Sequence, residues 1–458
     1  MRHPHHRVSW LLLIVVHRFR WVFCQLDTLC RCIPASIRIA LMELPITLDN
    51  TYERTLQCIP GEQRQHAHRP FQCLIAAIRP LRVEELTEMF AIQLDSKEGP
   101  NLVEGWRPED PEEAVLTACS TLIAIVDAED SKIVQFSHFS VKEFLTSNRL
   151  AASNVGNISQ YHIPLEPAHA TLAQACLTVL LQLDDKTDKK RLETFPLAPY
   201  AARHWVDHAK FGNVVSQIQD SMEYLFDPKK PHLAAWTWIH NIDSGIQRSM
   251  RDLPEHPSPL RETPLYYAAL CGFSGLANHL VTMHAEDVNA TCGDSRTPLH
   301  AAFRGGQLEC MRVLLEHGAA VDARDDVDTA VVHLASERGQ PETLHLVLRH
   351  GADVNARDYW EWTPLHFACY LGNTEVAQLV LEYGADVNAQ SYSNRTPLFV
   401  ASEHGNLELV QLLLGHGADV HIRGKMGIKV DQTPFQCATE KGYHEIAQLL
   451  LEHGAERG

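Results

Sequence analysis

The nucleophile and base that most invite a catalytic reading in this 458-residue chain are Ser140 and His138, two places before it in His138-Phe139-Ser140-Val141. A serine activated by a neighbouring imidazole attacks acyl carbon, so hydrolysis is the chemistry to weigh first. No G-x-S-x-G elbow surrounds the serine, and no acid partner for the histidine can be assigned from the sequence. The pair reads as structural, and a hydrolase stands as the most distant reading. Metal chemistry is the next to weigh, with 27 histidines and 12 cysteines present. The cysteines are scattered, only Cys30 and Cys32 lie close, and no C-x-x-C pair occurs. That pattern argues against structural zinc and for a reducing, cytoplasmic compartment. His317, His350, His416 and His453 each precede a glycine at the end of a helical pattern, and others recur at one fixed place. Phosphate chemistry needs a glycine-rich nest, and no G-x-x-x-x-G-K-[ST] loop is found; Gly424-Lys425-Met426 lacks the spacing. The sequence therefore reads as non-enzymatic, with no cofactor and no metal assigned.

Charge narrows the partners. The formal net charge is −17, and Arg261 to Gly458 holds 14 Lys and Arg against 26 Asp and Glu, a balance of −12. An acidic surface repels phosphate backbones and suits a protein partner with a basic surface, so nucleic acid is set aside. Trp10 to Val16 is apolar but too short to span a bilayer. It follows the basic stretch Met1 to Arg7 and is followed by His17-Arg18-Phe19-Arg20 rather than a small-residue cleavage site, so neither a membrane span nor a secretion signal is assigned.

The elements behind this surface show in a periodic pattern. Asp358 to Asn388 opens with a polar turn and Thr363-Pro364-Leu365-His366. A helix follows to Gly372, a second runs to Tyr383 and stops at Gly384, and the chain leaves through Ala385-Asp386-Val387-Asn388. Proline fits a first helical turn, and glycine fits a left-handed cap. Thr297, Ala330, Thr363 and Thr396 recur at a step of 33, as do His300, His333 and His366. The exit G-A-D-V-N-A stands at Gly351 and Gly384, with variants at Gly318 and Gly417. This unit resembles the ankyrin repeat, whose period it shares, and the resemblance covers Thr263 to the C-terminus.

Six units are counted. The third, Ala330-Val331-Val332-His333, lacks both the capping threonine and the proline and is the weak member, since a lost cap costs about 1 kcal/mol. The sixth arrives four residues late at Thr433, so Gly424 to Gln432 should lengthen one hairpin tip. Ile446, Leu449 and Leu450 sit near the chain end, which predicts a partly exposed apolar flank. The resemblance implies a concave binding face made of hairpin tips and first helices. Carried onto this chain, the exposed tip residues are Asp325, Asp326, Asp328, Asp358, Tyr359, Trp360, Trp362 and Tyr392. The first-helix residues are Arg304, Glu337, Arg338, Tyr370, Leu371, Glu403 and His404. Exposed Trp and Tyr ringed by charge have the character of interface anchors, though Trp362 could equally pack beside the next hairpin.

The front half is helical with one hairpin. Thr47 caps a helix to Ile59, Phe71 to Ile78 is helical, and Pro70 casts doubt on a helix continuing before it. Val83 to Ile92 places Val83, Leu86 and Phe90 on one face. Ala114 to Cys119 is helical, Leu122 to Val126 and Ile133 to Phe136 are strands around a turn at Asp127 to Ser131, and Ser140 to Ser147 is helical. Helices followed by a hairpin predict a winged-helix-like module. Glu84, Glu85 and Glu88 on its candidate reading helix would repel DNA. Glu166 to Leu183, Phe195 to Phe211, Val214 to Phe226 and Leu233 to Ile242 are further helices, with Asp184 to Arg191 a charged loop and Trp205 and Tyr224 buried. Leu253 to Pro259 is the clearest boundary. The expected divisions are a remnant over 1–43, the winged-helix-like module over 44–160, a helical linker over 161–252 and the repeats over 260–458.

Phe19 to Leu26, Leu44 to Arg54, Arg79-Pro80-Leu81-Arg82-Val83-Glu84-Glu85-Leu86 and His138 to Leu145 resemble the region after the nucleotide-binding module of fungal NACHT–ankyrin proteins, which are signal-transduction NTPases of the STAND type. The resemblance implies the distal part of such a protein without its NTPase, with the front module packing rather than reading DNA. The expected fold is mostly α, an ankyrin solenoid behind a winged-helix-like and helical region. The expected function is protein binding through the concave face, probed by Tyr359 and Trp360. The alternative is an autoregulatory piece whose repeats dock on its own front half.

Overall fold

The computed structural model describes residues 47–59, 64–94, 99–119, 122–128, 131–153, 158–242, 252–284, 286–425 and 431–456. Trp10 to Val16, the 1–43 remnant, Glu129 and Asp130 of the hairpin turn, and residues 426–430 of the lengthened tip lie outside them. The chain divides into two compact units, Met1–Pro259 and Leu260–Gly458.

In the first unit, α1 (Leu48–Gln57) starts where the Thr47 hydroxyl accepts the Asn50 amide at 3.2 Å. Next, α2 (Arg64–Ala76) carries Pro70 in its interior, which resolves the doubt that the proline raised in favour of a continuing helix. An interior proline costs about 3 kcal/mol. The helix persists because Phe71, Cys73, Leu74 and Ile75 are all buried, each worth a comparable gain. The chain continues through β1 (Leu81–Arg82) into α3 (Val83–Glu88). The helix expected to reach Ile92 gives way to a tight turn at Met89–Ala91, because Ile92 is drawn into β2 (Ile92–Gln93) against β3 (Asn101–Leu102), pairing with Leu102. After α4 (Pro111–Cys119), β4 (Ile123–Ala128) and β5 (Ser131–Phe136) make the hairpin. It is longer than expected: Asp127 pairs with Lys132 and Ala128 with Ser131, so these are ladder rather than turn residues. The sheet order is β1-β5-β4, all antiparallel.

The remaining helices of this unit are α5 (Phe139–Leu145), α6 (Asn148–Ala151), α7 (Leu165–Leu180), α8 (Lys189–Leu192), α9 (Ala198–Ala209), α10 (Val214–Gln217), α11 (Gln219–Phe226) and α12 (His232–Ile239). Both α2 and α9 pack along α7, so the core runs across the 160/161 division. Trp205, Phe226 and Trp236 meet edge-on or tilted, at 5.4 to 6.2 Å, in the centre of the helical part. Tyr224, expected to be buried, is 46 % exposed. Its ring lies against His232 on one side and under the Lys230 ammonium, 4.7 Å from the centroid.

Two of the three glutamates on α3 point inward. Glu85 is wholly buried and receives Arg79 Nη2 at 2.7 Å, Arg82 Nε at 2.9 Å and the Arg82 amide at 2.8 Å. Glu88 receives Arg107 Nη2 at 2.6 Å and the Leu197 amide at 2.6 Å. Burial by itself raises both carboxyls. The four bonds to Glu85, Arg79 Nη1 at 2.8 Å included, overcome that and hold its carboxyl below the ordinary range, whereas for Glu88 burial wins and the carboxyl is raised. Only Glu84 is exposed, so Glu85 and Glu88 tie the fold together rather than fend off phosphate.

In the second unit, twelve described helices form six pairs. These are α13 (Pro264–Cys271) with α14 (Ser274–Met283), α15 (Pro298–Arg304) with α16 (Leu308–Glu316), and α17 (Val331–Glu337) with α18 (Pro341–Arg349). They continue as α19 (Pro364–Leu371) with α20 (Thr374–Glu382), α21 (Pro397–His404) with α22 (Leu407–Gly415), and α23 (Pro434–Lys441) with α24 (His444–Glu452). First helices pack on first helices throughout, and second on second at α14/α16, α18/α20, α20/α22 and α22/α24, so each pair buries its apolar side on its neighbours. Gly372, at φ 73°, ends α19 in the left-handed conformation expected for it. The flank predicted to be partly exposed at the end is so: Ile446 and Leu450 are buried, while Leu449 and Leu451 are half-buried.

Candidate protein-binding surface

The first helix of each pair is set by its cap. Thr263, Thr396 and Thr433 accept the amide three residues on through their hydroxyls, each at 3.2 Å. His300, His333 and His366 work in the other direction. His366 Nδ1 accepts the Thr363 amide at 3.1 Å and the Thr363 hydroxyl at 2.8 Å, while Nε2 donates to the Arg395 carbonyl of the next unit at 2.9 Å. That geometry admits only the neutral ring protonated on Nε2. Burial lowers its pKa to about 4, and burial also lowers those of His300 and His333. These histidines are structural pins. Ala330 has no oxygen with which to cap α17, and His333 Nδ1 still accepts its amide at 3.2 Å.

The hairpin tips are joined by side-chain ladders. Asn289, Asn355 and Asn388 each accept an amide from the next unit at 2.7 to 2.8 Å and donate to a carbonyl there at 3.2 to 3.4 Å. Asp322 takes the same place and accepts the Asp353 amide at 3.0 Å. A carboxylate cannot make the second, donating bond. Arg324 donates to the Arg357 carbonyl and Arg357 to the Gln390 carbonyl, each 33 residues on. Backbone bonds close the tips directly: Asp326 N to Asp294 O at 3.2 Å, Tyr392 N to Trp360 O at 3.0 Å, and Lys425 N to Ser393 O at 2.9 Å.

Against this frame the expected surface residues separate. Asp325 and Asp358 were expected at exposed tips and are instead buried, 9 % and 3 % accessible. Asp358 accepts the Trp360 and Trp362 amides at 2.9 and 2.7 Å, and Asp325 accepts the Val327 and Thr329 amides at 3.2 and 3.0 Å. Each folds its own tip rather than facing a partner. Asp326 and Asp328 are exposed, with Asp328 paired to Arg324 at 3.0 Å. Tyr359, Trp360 and Tyr392 are 73 %, 58 % and 83 % exposed. Tyr359 and Trp360 stand perpendicular, 5.7 Å apart. Trp362 is half-buried against His366, Phe367 and Tyr370 of its own unit's first helix, rather than beside the next hairpin.

On the first helices, Arg304, Glu337 and Leu371 are exposed, and half-exposed Tyr370 meets the His404 ring at 4.8 Å. His404 donates to the Val400 carbonyl at 2.9 Å. Exposed Arg338 lies over the Phe303 ring at 4.7 Å, and Glu403 pairs with Arg395 at 3.2 Å. The structure thus gathers Tyr359, Trp360 and Tyr392 on adjoining tips. It gives Arg338, Glu403 and His404 partners inside the array.

Sequence reasoning passed over Glu361 and Val327. Glu361 is exposed at φ 61°, in register with Ser295, Asp328 and Asn394, which also have positive φ, and it pairs with Arg357 at 2.8 Å. The 33-residue step among these four positions was the signal available. Val327 is 52 % exposed beside Asp326 and Asp328.

At the hydrolase candidate, His138 Nδ1 accepts the Ser140 amide at 3.2 Å and lies 2.6 Å from its hydroxyl, which also meets the Tyr52 hydroxyl at 2.9 Å. The three side chains form the N-terminal cap of α5 and fasten it to α1.

Comparison with known proteins fits this architecture. The family model for ankyrin repeats matches residues 239–325, 265–358 and 332–424, and a second ankyrin model matches 398–451. The model described as GPI inositol-deacylase, winged helix domain, matches 42–155. The chain is similar to azaphilone pigments biosynthesis cluster protein L of Monascus ruber, 29% identical over 304 residues that make up 62% of each protein. It is 31% identical over 202 residues to alpha-latrocrustotoxin-Lt1a of Latrodectus tredecimguttatus, covering 42% of this chain and 12% of that one. Cortactin-binding protein 2 of Rattus norvegicus is 39% identical over 71 residues, 15% of this chain and 4% of that protein. The chain thus spans under two thirds of the length of the curated relatives it matches. Its C-terminal half is a mostly helical array of ankyrin repeats, and a winged helix domain stands ahead of it.

Proposed function

We propose that this protein is a non-catalytic scaffold whose ankyrin array grips a protein partner through the tips around Tyr359, Trp360 and Tyr392. The observation that supports this most is large aromatic area left in water on a rigid mount. Trp360 and Tyr392 stand on tips joined by a backbone hydrogen bond, so little conformational freedom is lost when they are covered. The partner presents a basic surface, in keeping with the −12 balance of the repeats. Neither nucleic acid nor a membrane is its target, the setting is the cytoplasm, and the process is signal transduction. The front unit acts as a packing module coupled to a nucleotide-dependent assembly of the NACHT kind.

The test uses the full chain as bait in its native cell extract, with and without Tyr359→Ala and Trp360→Ala together. A defined set of captured proteins should be lost with the double variant. Capture of the same set by both would remove the tips from the binding surface.

A further inference from the structure

The exposed tips carry a second, narrower message about what they hold. Along the stack, the tip with Asp326, Val327 and Asp328 adjoins the one with Tyr359, Trp360 and Glu361, and that adjoins the one with Tyr392. Aromatic faces therefore lie with carboxylates beside them. The arginines of the same strip are already engaged: Arg324 with Asp328, Arg357 with Glu361, and Arg395 with Glu403. Each also donates to a neighbouring carbonyl, Arg324 and Arg357 through the same Nη1 and Arg395 through Nε. A visiting cation would meet ring faces together with the carboxylate oxygens these pairs leave open, Asp328 Oδ1 and Glu361 Oε1.

The array also places its own guanidinium groups on rings. Arg338 sits 4.7 Å over Phe303 and Arg395 5.8 Å over Phe399. Among the described residues no guanidinium lies over Tyr359, Trp360 or Tyr392, which are 73 %, 58 % and 83 % exposed. Guanidinium suits such a place better than ammonium, because it is planar, weakly hydrated and can stack while its edge bonds a carboxylate.

We propose that this surface is a receptor for arginine side chains of an extended peptide segment in the partner. A guanidinium stacks on Trp360, flanked by Tyr359 and Tyr392, and its edge is met by Asp326 and by the oxygens of Asp328 and Glu361 that their pairs with Arg324 and Arg357 leave open. The inference rests on the tip-binding reading above and names the chemistry of the partner.

The test is fluorescence anisotropy of a labelled heptapeptide, Gly-Arg-Ser-Arg-Gly-Arg-Gly, titrated with the full chain. Its counterparts carry lysine or citrulline at the three arginine positions. The arginine peptide should bind, and the lysine peptide about tenfold more weakly. The citrulline peptide should not bind. Trp360→Ala should weaken arginine-peptide binding by about tenfold or more, and Tyr392→Ala, at a side chain mostly in solvent, should do so without disturbing the fold. Equal binding of the lysine and arginine peptides, or no effect of either variant, would overturn the arginine assignment. If the arginine peptide fails while captured proteins still depend on Tyr359 and Trp360, the scaffold reading stands and this one falls.

Discussion

Acid should loosen the array through His366, and the chain contains its own control. The folded pKa of His366 is about 4, below the ordinary 6.5 of an unfolded chain. The unfolded chain therefore takes up the proton first as pH falls. The stability held by the neutral ring is complete above about pH 6.5, declines through the window down to about pH 4, and is flat below it. The whole loss is about 3 kcal/mol, and about 2 kcal/mol of it falls between about pH 7 and pH 5.

The perturbation to make is His366→Gln. In the sixth unit Gln436 fills the same place, and its Oε1 accepts the Thr433 amide at 3.0 Å. Glutamine thus keeps the cap and cannot titrate, at the cost of about 1 kcal/mol for the bond to the Arg395 carbonyl. Hydrogen exchange over 363–389 at several pH values, corrected for intrinsic rates, reads the local opening energy. The wild-type protein should lose about 2 kcal/mol of it between about pH 7 and pH 5, and the variant should lose markedly less. Equal losses in both would refute the neutral-pin reasoning.

Other outcomes follow from the same contacts. Ala330→Thr restores the missing hydroxyl ahead of α17 and should raise the opening energy of the third unit by about 1 kcal/mol, read by hydrogen exchange over 330–350. Asp322→Asn keeps the bond to the Asp353 amide and gains a donor toward the Gly351 carbonyl; protection of 319–353 should rise by about 0.5–1 kcal/mol, and no rise would show that the donor finds no acceptor. Arg107→Ala strips buried Glu88 of its ionic partner at 2.6 Å; the first unit should lose about 3 kcal/mol at neutral pH, seen as an earlier urea midpoint, and an unchanged midpoint would contradict the pairing.

The repeat array was legible because its signals are local and recur: a capping threonine, a first-turn proline and a cap glycine within a few dozen residues. Misreadings came where a distant partner overrode residue type. An aspartate at a tip looks solvent-facing, yet Asp325 and Asp358 turn inward because several tip amides converge on them. Glutamates on a short helix look like a charged face, yet Glu88 is met by Arg107 19 residues away and by the Leu197 amide 109 residues away. Pro70 and Ile92 likewise follow tertiary packing and strand pairing rather than local preference. On the candidate surface, the exposed aromatics could be read from type and place in the period. The inward use of Arg338, Glu403 and His404 depends on contacts the sequence does not display.

The asparagine and arginine ladders also govern how such a chain can change length. Their bonds span 29, 31 or 33 residues. Excising or duplicating one whole period brings every donor back opposite an equivalent acceptor, while a shift of a few residues between two rungs leaves them mismatched. The four surplus residues of the last unit escape this penalty. Ahead of them Asp419 and Lys425 still reach their rungs, and Gly424 pairs with Gln432. Growth and shrinkage of the array are thereby channelled into whole-unit steps and into side loops off the ladder.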